Sequence, residues 1–464
     1  TIRWVVIALI LAFVFRAFIM EAFRIPTGSM AETLRGAHHH LRCPKCGFTY
    51  DLGAEREGSG GPRCYNCGYE YQNPIQRPPS NGDRILVLKC LYEFRDPQRW
   101  DVFVFKYPTD PQTNYIKRVI GLPGESVDIV DGDIYIDGRI ARKPPKVQNE
   151  LWMPIYNNDY LPNAAFGTGT GDFQWIQPFS NNIGSKWKLN RDGTSYFTLN
   201  SPSDQLNTIT YDEALVYDFR PYSAYNHTNQ YKRIKKICTD LKIRYFAHNL
   251  KSDGQVGAQL RKYDTLYKGI VSFDGEMKIL KQTNGQTTEL AVKTTNISAD
   301  KPSLFEFVVV DRQAILKFAD EELKFDLGQK PHDLTVIEET PGSMAGIIGA
   351  GNIKLSHIAL FRDIYYMDDV LRPRPDEPFQ LEEDEFFACG DNSNSSFDSR
   401  LWSTPGQGNA GKTYRTGVVP RDYLMGKAFF LYWGDAFKPF DRGLPIIPNF
   451  KQMKFIYGGS NEEI

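Results

Sequence analysis

Residues 2–23 read IRWVVIALILAFVFRAFIMEAF, and no other stretch limits the fold so tightly. A helix crossing a bilayer needs about 20 mostly apolar residues, and this run nearly supplies them. Trp4 suits a membrane interface, and Arg16 can reach back to the headgroups or face a neighbour. The flanks lack the small-x-small cleavage pattern of a removed leader, so a retained transmembrane anchor over residues 1–22 is expected. The sequence opens on Thr1 rather than Met, which leaves room for a longer span upstream.

Directly after the anchor come Phe23-Arg-Ile-Pro-Thr-Gly-Ser-Met-Ala-Glu-Thr-Leu34, at what should be the membrane surface. Pro26 fixes φ and removes a donor, while Gly28 allows backbone angles closed to other residues. A stiff turn carrying the hydroxyls of Thr27 and Ser29 is a way to present a nucleophile.

The 464 residues suit two or three domains. A formal net charge of -1 gives no field to recruit nucleic acid. The 7 cysteines cannot all pair internally. Four of them, Cys43, Cys46, Cys64 and Cys67, form C-x2-C-x17-C-x2-C, each pair followed by Gly and an aromatic residue. Each such turn points two thiolates at one tetrahedral ion, so residues 37–80 are expected to form a zinc ribbon with a structural zinc. A pair of disulfides is the alternative. The run His38-His-His40 is read as a solvated loop, and His227, His248, His332 and His357 as isolated surface or core residues. Asn226-His-Thr and Asn296-Ile-Ser match the glycosylation pattern, which is common by chance.

Beyond the cysteines the chain reads as mainly β. Asn81–Lys89, Trp100–Lys106 and Asn114–Ile120 have the alternation of half-buried strands, and Asp131-Gly132 should turn a hairpin between Ser126–Val130 and Asp133–Asp137. Residues 81–150 are therefore expected to be antiparallel β with almost no helix. Residues 151–372 carry many short alternating stretches, among them Leu304–Val310 and Ala314–Phe318. They predict a β-sandwich resembling a laminin-G or concanavalin-type jelly roll. A Pro-rich linker at 372–378 follows. Then Phe386–Arg400 runs from a strand into a polar loop, in which Arg400 can lock Asp391 or Asp398.

FRIPTGSMAETL (23–34), GDRILVLK (82–89), YIKRVIGLPGE (115–125), GDNSNSSFDSR (390–400) and GVVPRDYLMGKA (417–428) occur in this order after an anchor. In this the chain resembles bacterial type I signal peptidases, the serine proteases that remove signal peptides. The resemblance covers only the two ends of the chain. It implies a catalytic core made of residues 23–36, 81–150 and 373–464, interrupted by the cysteine segment and the sandwich. It implies Ser29 as nucleophile, Lys117 as general base and Thr27 as oxyanion donor with the Ser29 N–H. Ser396 would orient the lysine, supported by Asp391, Asp398 and Arg400. Phe23, Ile25, Met30, Leu34, Tyr115 and Ile116 would wall small apolar pockets for an A-x-A-like site. The partners implied are signal peptides and the lipid bilayer, with the catalytic part outside the cytoplasmic membrane and no cofactor for catalysis. Residues 403–416 depart from the family's spacing after Trp402. A cell-envelope binding protein, whose sandwich takes a glycan or protein ligand while the peptidase core is scaffold, is the alternative function.

Overall fold

A computed structural model describes residues 2–54, 62–71, 78–162, 175–189, 195–212, 219–226, 234–297, 301–329, 344–368, 370–374, 377–408, 411–434 and 449–459. His227, His332 and part of the 372–378 linker lie outside them.

The apolar run forms helix α1, Ile2–Val14, continued by one wider turn, Phe15–Ile19. Together they make one helix long and apolar enough to cross a membrane, with its side chains facing outward rather than into a core. The helix stops earlier than the expected 22 residues. Met20–Arg24 is already a strand, β1, because Met20 to Arg24 pair in register with Leu88 to Arg84. The turn at Gly28–Met30 thus follows a strand fixed in the sheet, which itself follows directly on the apolar helix.

The chain is mainly β. One sheet is assembled from both ends of the sequence: β1, β2 (Arg84–Leu88), β3 (Val102–Tyr107), β4 (Asp110–Gly121), β5 (Glu385–Cys389) and β6 (Leu424–Trp433). Its spatial order is β1-β2-β6-β3-β4-β5, so the late strand β6 lies between two early ones. Ile85, Val87, Val102 and Val104 alternate inward with Ala428 and Leu431, a strand pattern burying one apolar face. The expected hairpin at 131–132 is present, with Asp131 and Gly132 both at positive φ. Two short helices, Leu91–Phe94 and Pro145–Leu151, interrupt the region expected to lack them.

The central region is built on two long antiparallel strands, Leu241–Lys262 and Ala345–Arg362. Their pairing is broken between Asn249 and Gly254, where Gly254 and Gly351 both take positive φ as the backbones close in. Either side of this break the first strand pairs with different neighbours, Ser303–Val310 and Thr265–Ser272. Ile243 and Tyr245 from one side and Val256 and Leu260 from the other enter one apolar core. Leu41, Tyr50 and the four ribbon cysteines join that same core, so the two interrupting segments pack as one body.

Charged groups tie this body to the small separate sheet that contains Ser126–Val130 and Asp133–Ile136. Lys143 pairs with Asp363 at 2.8 Å and with Asp311, while Lys262 pairs with Asp240 and lies 3.6 Å from Asp133. All are buried. Burial works against the charge on both lysines, but the carboxylates outweigh it and hold their pKa values well above the ordinary lysine range. The cluster of Asp133, Asp240 and Asp311 is therefore balanced by ammonium groups.

Candidate active site

Ile25, almost wholly buried, pins the chain leaving β1, and Gly28–Met30 makes a single tight turn closed by Ala31 N donating to Gly28 O at 3.0 Å. This turn presents Ser29. Across from it, β4 places Lys117 opposite Phe103 in the sheet. The Lys117 Nζ lies 2.7 Å from Ser29 Oγ and 3.1 Å from the Ile116 carbonyl oxygen. Lys117 is only 3 % exposed and Ser29 8 %. Burial lowers the Lys117 pKa to about 8, against the partly opposing field of Asp398. A hydroxyl beside a buried lysine whose pKa is within reach of neutrality has the chemistry to serve as a nucleophile beside a base.

The loop after β5 braces the turn from behind. Asn392 N donates to Ser29 O at 3.0 Å, and its side-chain amide donates to Gly28 O at 2.9 Å. Asp391 accepts from Thr33 Oγ1 at 2.6 Å and pairs with Arg118, not with Arg400. Arg400 instead grips Asp398, Nε to Oδ1 at 2.9 Å and Nη2 to Oδ2 at 2.7 Å. Burial would raise the Asp398 pKa, but Arg400 outweighs it and keeps the carboxylate below its usual range. Arg118 has no place in the sequence-derived set, although it sits next to Lys117.

The other expected residues fall in different places. Ser396 is buried beside Gly390 and Asp398, and its hydroxyl makes no hydrogen bond to Lys117. Thr27 is exposed at the groove in extended conformation. Tyr115 and Ile116 line the groove. Ile25, Met30 and Leu34 lie beneath it as closed core, with Phe23 packed against them. The groove, of about 280 Å³, runs between Pro26–Ser29 and Thr113–Lys117. The β5 strand pairs only with Arg118 to Gly121 of β4, leaving the edge at Thr113–Lys117 without a strand partner among the described residues. An extended peptide can add there by backbone hydrogen bonds.

The four ribbon cysteines converge. Cys43 Sγ lies 3.6 Å from Cys67 Sγ, and Cys46 Sγ 3.7 Å from Cys64 Sγ, with all four mutually within 4.8 Å. Sulfurs bonded in a disulfide lie about 2.05 Å apart. Sulfurs about 2.3 Å from a shared tetrahedral zinc lie about 3.8 Å apart, so these residues fit the metal. Both knuckles share one geometry: Gly47 N and Gly68 N return to the Cys43 and Cys64 carbonyls, and both glycines have positive φ. The histidine run is a strand rather than a loop, paired with Thr49–Gly53. His38 is buried with Nδ1 at 2.8 Å from Gly36 O, and His40 meets Asp51 at 2.7 Å.

The signal peptidase family, peptidase S26, matches residues 76–162 and 363–433. The chain is similar to signal peptidase I. The protein of that name from Pseudomonas fluorescens is 36% identical over 138 residues, which cover 29% of this chain and 37% of that one. Its counterpart from Pseudomonas aeruginosa is 31% identical over 146 residues, covering 29% and 36%. The chain thus spans well under half the length of these relatives. The family match includes Lys117, Arg118 and the loop from Asp391 to Arg400, and begins after Ser29. Among solved structures, a carbohydrate-binding module, CBM66, from Bacillus subtilis is 11% identical, covering 40% of this chain and 94% of that one, with a TM-score of 0.24. So slight a likeness carries no argument.

Proposed function

We propose that the chain is a membrane-anchored serine endopeptidase that removes signal peptides from exported preproteins after small residues. The observation that supports this reading is the buried 2.7 Å contact of Lys117 with Ser29 beside an open strand edge. In this reading the neutral Lys117 amine takes the Ser29 hydroxyl proton as Oγ attacks the scissile carbonyl carbon. The oxyanion is held by the Ser29 N–H and the Thr27 hydroxyl. Lys117, now ammonium, protonates the departing amine of the mature protein, and water, deprotonated by the same lysine, releases the signal peptide from Ser29. Asp391, Asp398, Arg400 and Ser396 support the lysine strand and the turn. Tyr115 and Ile116, above Phe23, Ile25, Met30 and Leu34, shape apolar pockets for small side chains on either side of one intervening residue.

The helix Ile2–Ile19 would hold the groove at the outer surface of the cytoplasmic membrane, where such a cleavage site emerges. Cys43, Cys46, Cys64 and Cys67 would hold a structural zinc that cross-links two knuckles and takes no part in the chemistry. The full chain in detergent should cut a preprotein with an A-x-A site, while Ser29→Ala and Lys117→Ala lose at least about 10³-fold in kcat. Equal cleavage by all three would sink the reading.

A further inference from the structure

The inserted body reaches the nucleophile itself. Its segment Phe219–Asn226 is anchored at one end by Phe219 and Tyr222 in the insert's core, with Arg362 donating to Tyr222 O at 2.7 Å. From there it crosses the groove's rim. Ser223 Oγ donates to Glu32 Oε1 at 2.7 Å. Tyr225 lays its ring edge on the Gly28 face, so close that a Cβ added at Gly28 would lie 2.1 Å from the ring. The same edge meets Gly53 of the ribbon, and the Tyr225 hydroxyl donates to Ala37 O at 2.9 Å. Asn226 and Asn392 exchange amide hydrogen bonds, both at 2.8 Å.

These contacts converge on one task. Asn392 uses one side-chain N–H on Gly28 O and the other on Asn226, so Asn226 fixes which way the amide faces. An amide turned over would set two oxygens against each other at Gly28 and release the turn. Tyr225 closes the opposite face of the same glycine. Asn226 is buried at 4 % exposure and fully engaged, which accounts for the Asn226-His-Thr pattern without a glycan.

We infer that Tyr225 and Asn226 are positioning residues for Ser29, so that the insert is a working part of the active site. The inference rests on the peptidase reading. Misplacement of a nucleophile by about 1 Å can cost about a hundredfold in rate. Asn226→Leu and Tyr225→Ala should therefore lower kcat about ten- to a hundredfold with KM nearly unchanged. Tyr225→Phe, which keeps the ring on Gly28, should recover most of the loss, whereas Asn226→Ala, which removes both amide bonds without adding bulk, should fall as far as Asn226→Leu. The test measures kcat and KM of the full chain on a preprotein for these four variants, wild type and Ser29→Ala. Variants are matched by thermal unfolding, and Asn226→Ala against Tyr225→Phe and wild type decides if a bulkier change fails to fold. If Ser29→Ala is inactive while Asn226→Leu, Asn226→Ala and Tyr225→Ala keep wild-type kcat, or if Tyr225→Phe falls as far as Tyr225→Ala, positioning is overturned and the peptidase reading stands. If wild type and Ser29→Ala behave alike, both fall together.

Discussion

Arg118 holds Asp391 with two parallel bonds, Nε to Oδ1 at 2.8 Å and Nη2 to Oδ2 at 2.7 Å, across 273 positions of sequence. Both side chains are wholly buried. Arg118 follows Lys117, and Asp391 precedes the residue that holds Ser29 O. One ion pair thus couples the Lys117 strand to the loop that braces Ser29. Removing one partner strands the other charge in the interior, at a cost of about 3–5 kcal/mol. Arg118→Met and Asp391→Leu should each destabilise by that order, and the double variant by less than the sum. Denaturant unfolding of the four proteins measures the difference, and strictly additive losses would contradict the coupling.

The lysine pKa sets a pH dependence for the proposed reaction. Only the neutral amine accepts a proton, so kcat/KM should rise with pH through an apparent pKa of about 8 and level off above it. Lys117→Arg, charged at every accessible pH, should show no such rise and no activity. A pH–rate profile flat from 6 to about 9 would remove Lys117 as the base.

The same shift has a consequence for stability. In the unfolded chain Lys117 titrates at its ordinary value, 10.5, so from about 8 to 10.5 the unfolded state binds more protons. The contribution of this group to stability should rise with pH across that window. Below about 8 both states carry the proton and the buried charge is a constant cost. Lys117→Met should raise the melting temperature at pH 7 and lose this pH dependence, read by thermal unfolding at several pH values. An unchanged slope would contradict the burial argument.

The cysteine geometry predicts about one zinc per chain. Stripping it with a strong chelator should expose four alkylatable thiols and lower the melting temperature, because the knuckles share the insert's core. Cys43→Ser should bind zinc far more weakly. Two disulfides found by mass spectrometry would reject the metal.

The anchor reading predicts that the full chain stays in the membrane fraction after alkaline carbonate extraction. Its release into the supernatant would contradict it.

The hairpin at Asp131-Gly132 was legible in the sequence, because a turn is decided by a few neighbouring residues and the strands beside them. So was the pairing of the cysteine knuckles, where each glycine supplies the positive φ its turn requires. Less legible was the end of the helix at Ile19. Met20 to Phe23 are apolar enough for either state, and only pairing with Arg84–Leu88 makes them a strand. His38–His40 became a strand for the same kind of reason, through Thr49–Gly53.

Local chemistry alone therefore determined the apolar length of the N-terminal run, the β character and the metal-type cysteine spacing, while Ser29 and Lys117 as a pair came from the order of motifs that carries the family resemblance. Tertiary structure decided which groups meet: Lys117 with Ser29, Arg118 rather than Arg400 with Asp391, and Asn226 with Asn392. Backbone propensity acts over a few residues and is written in order along the chain. The partner of a buried polar group is chosen by whichever donor or acceptor the packed fold brings within 3 Å or so, and here each came from a segment far away in sequence.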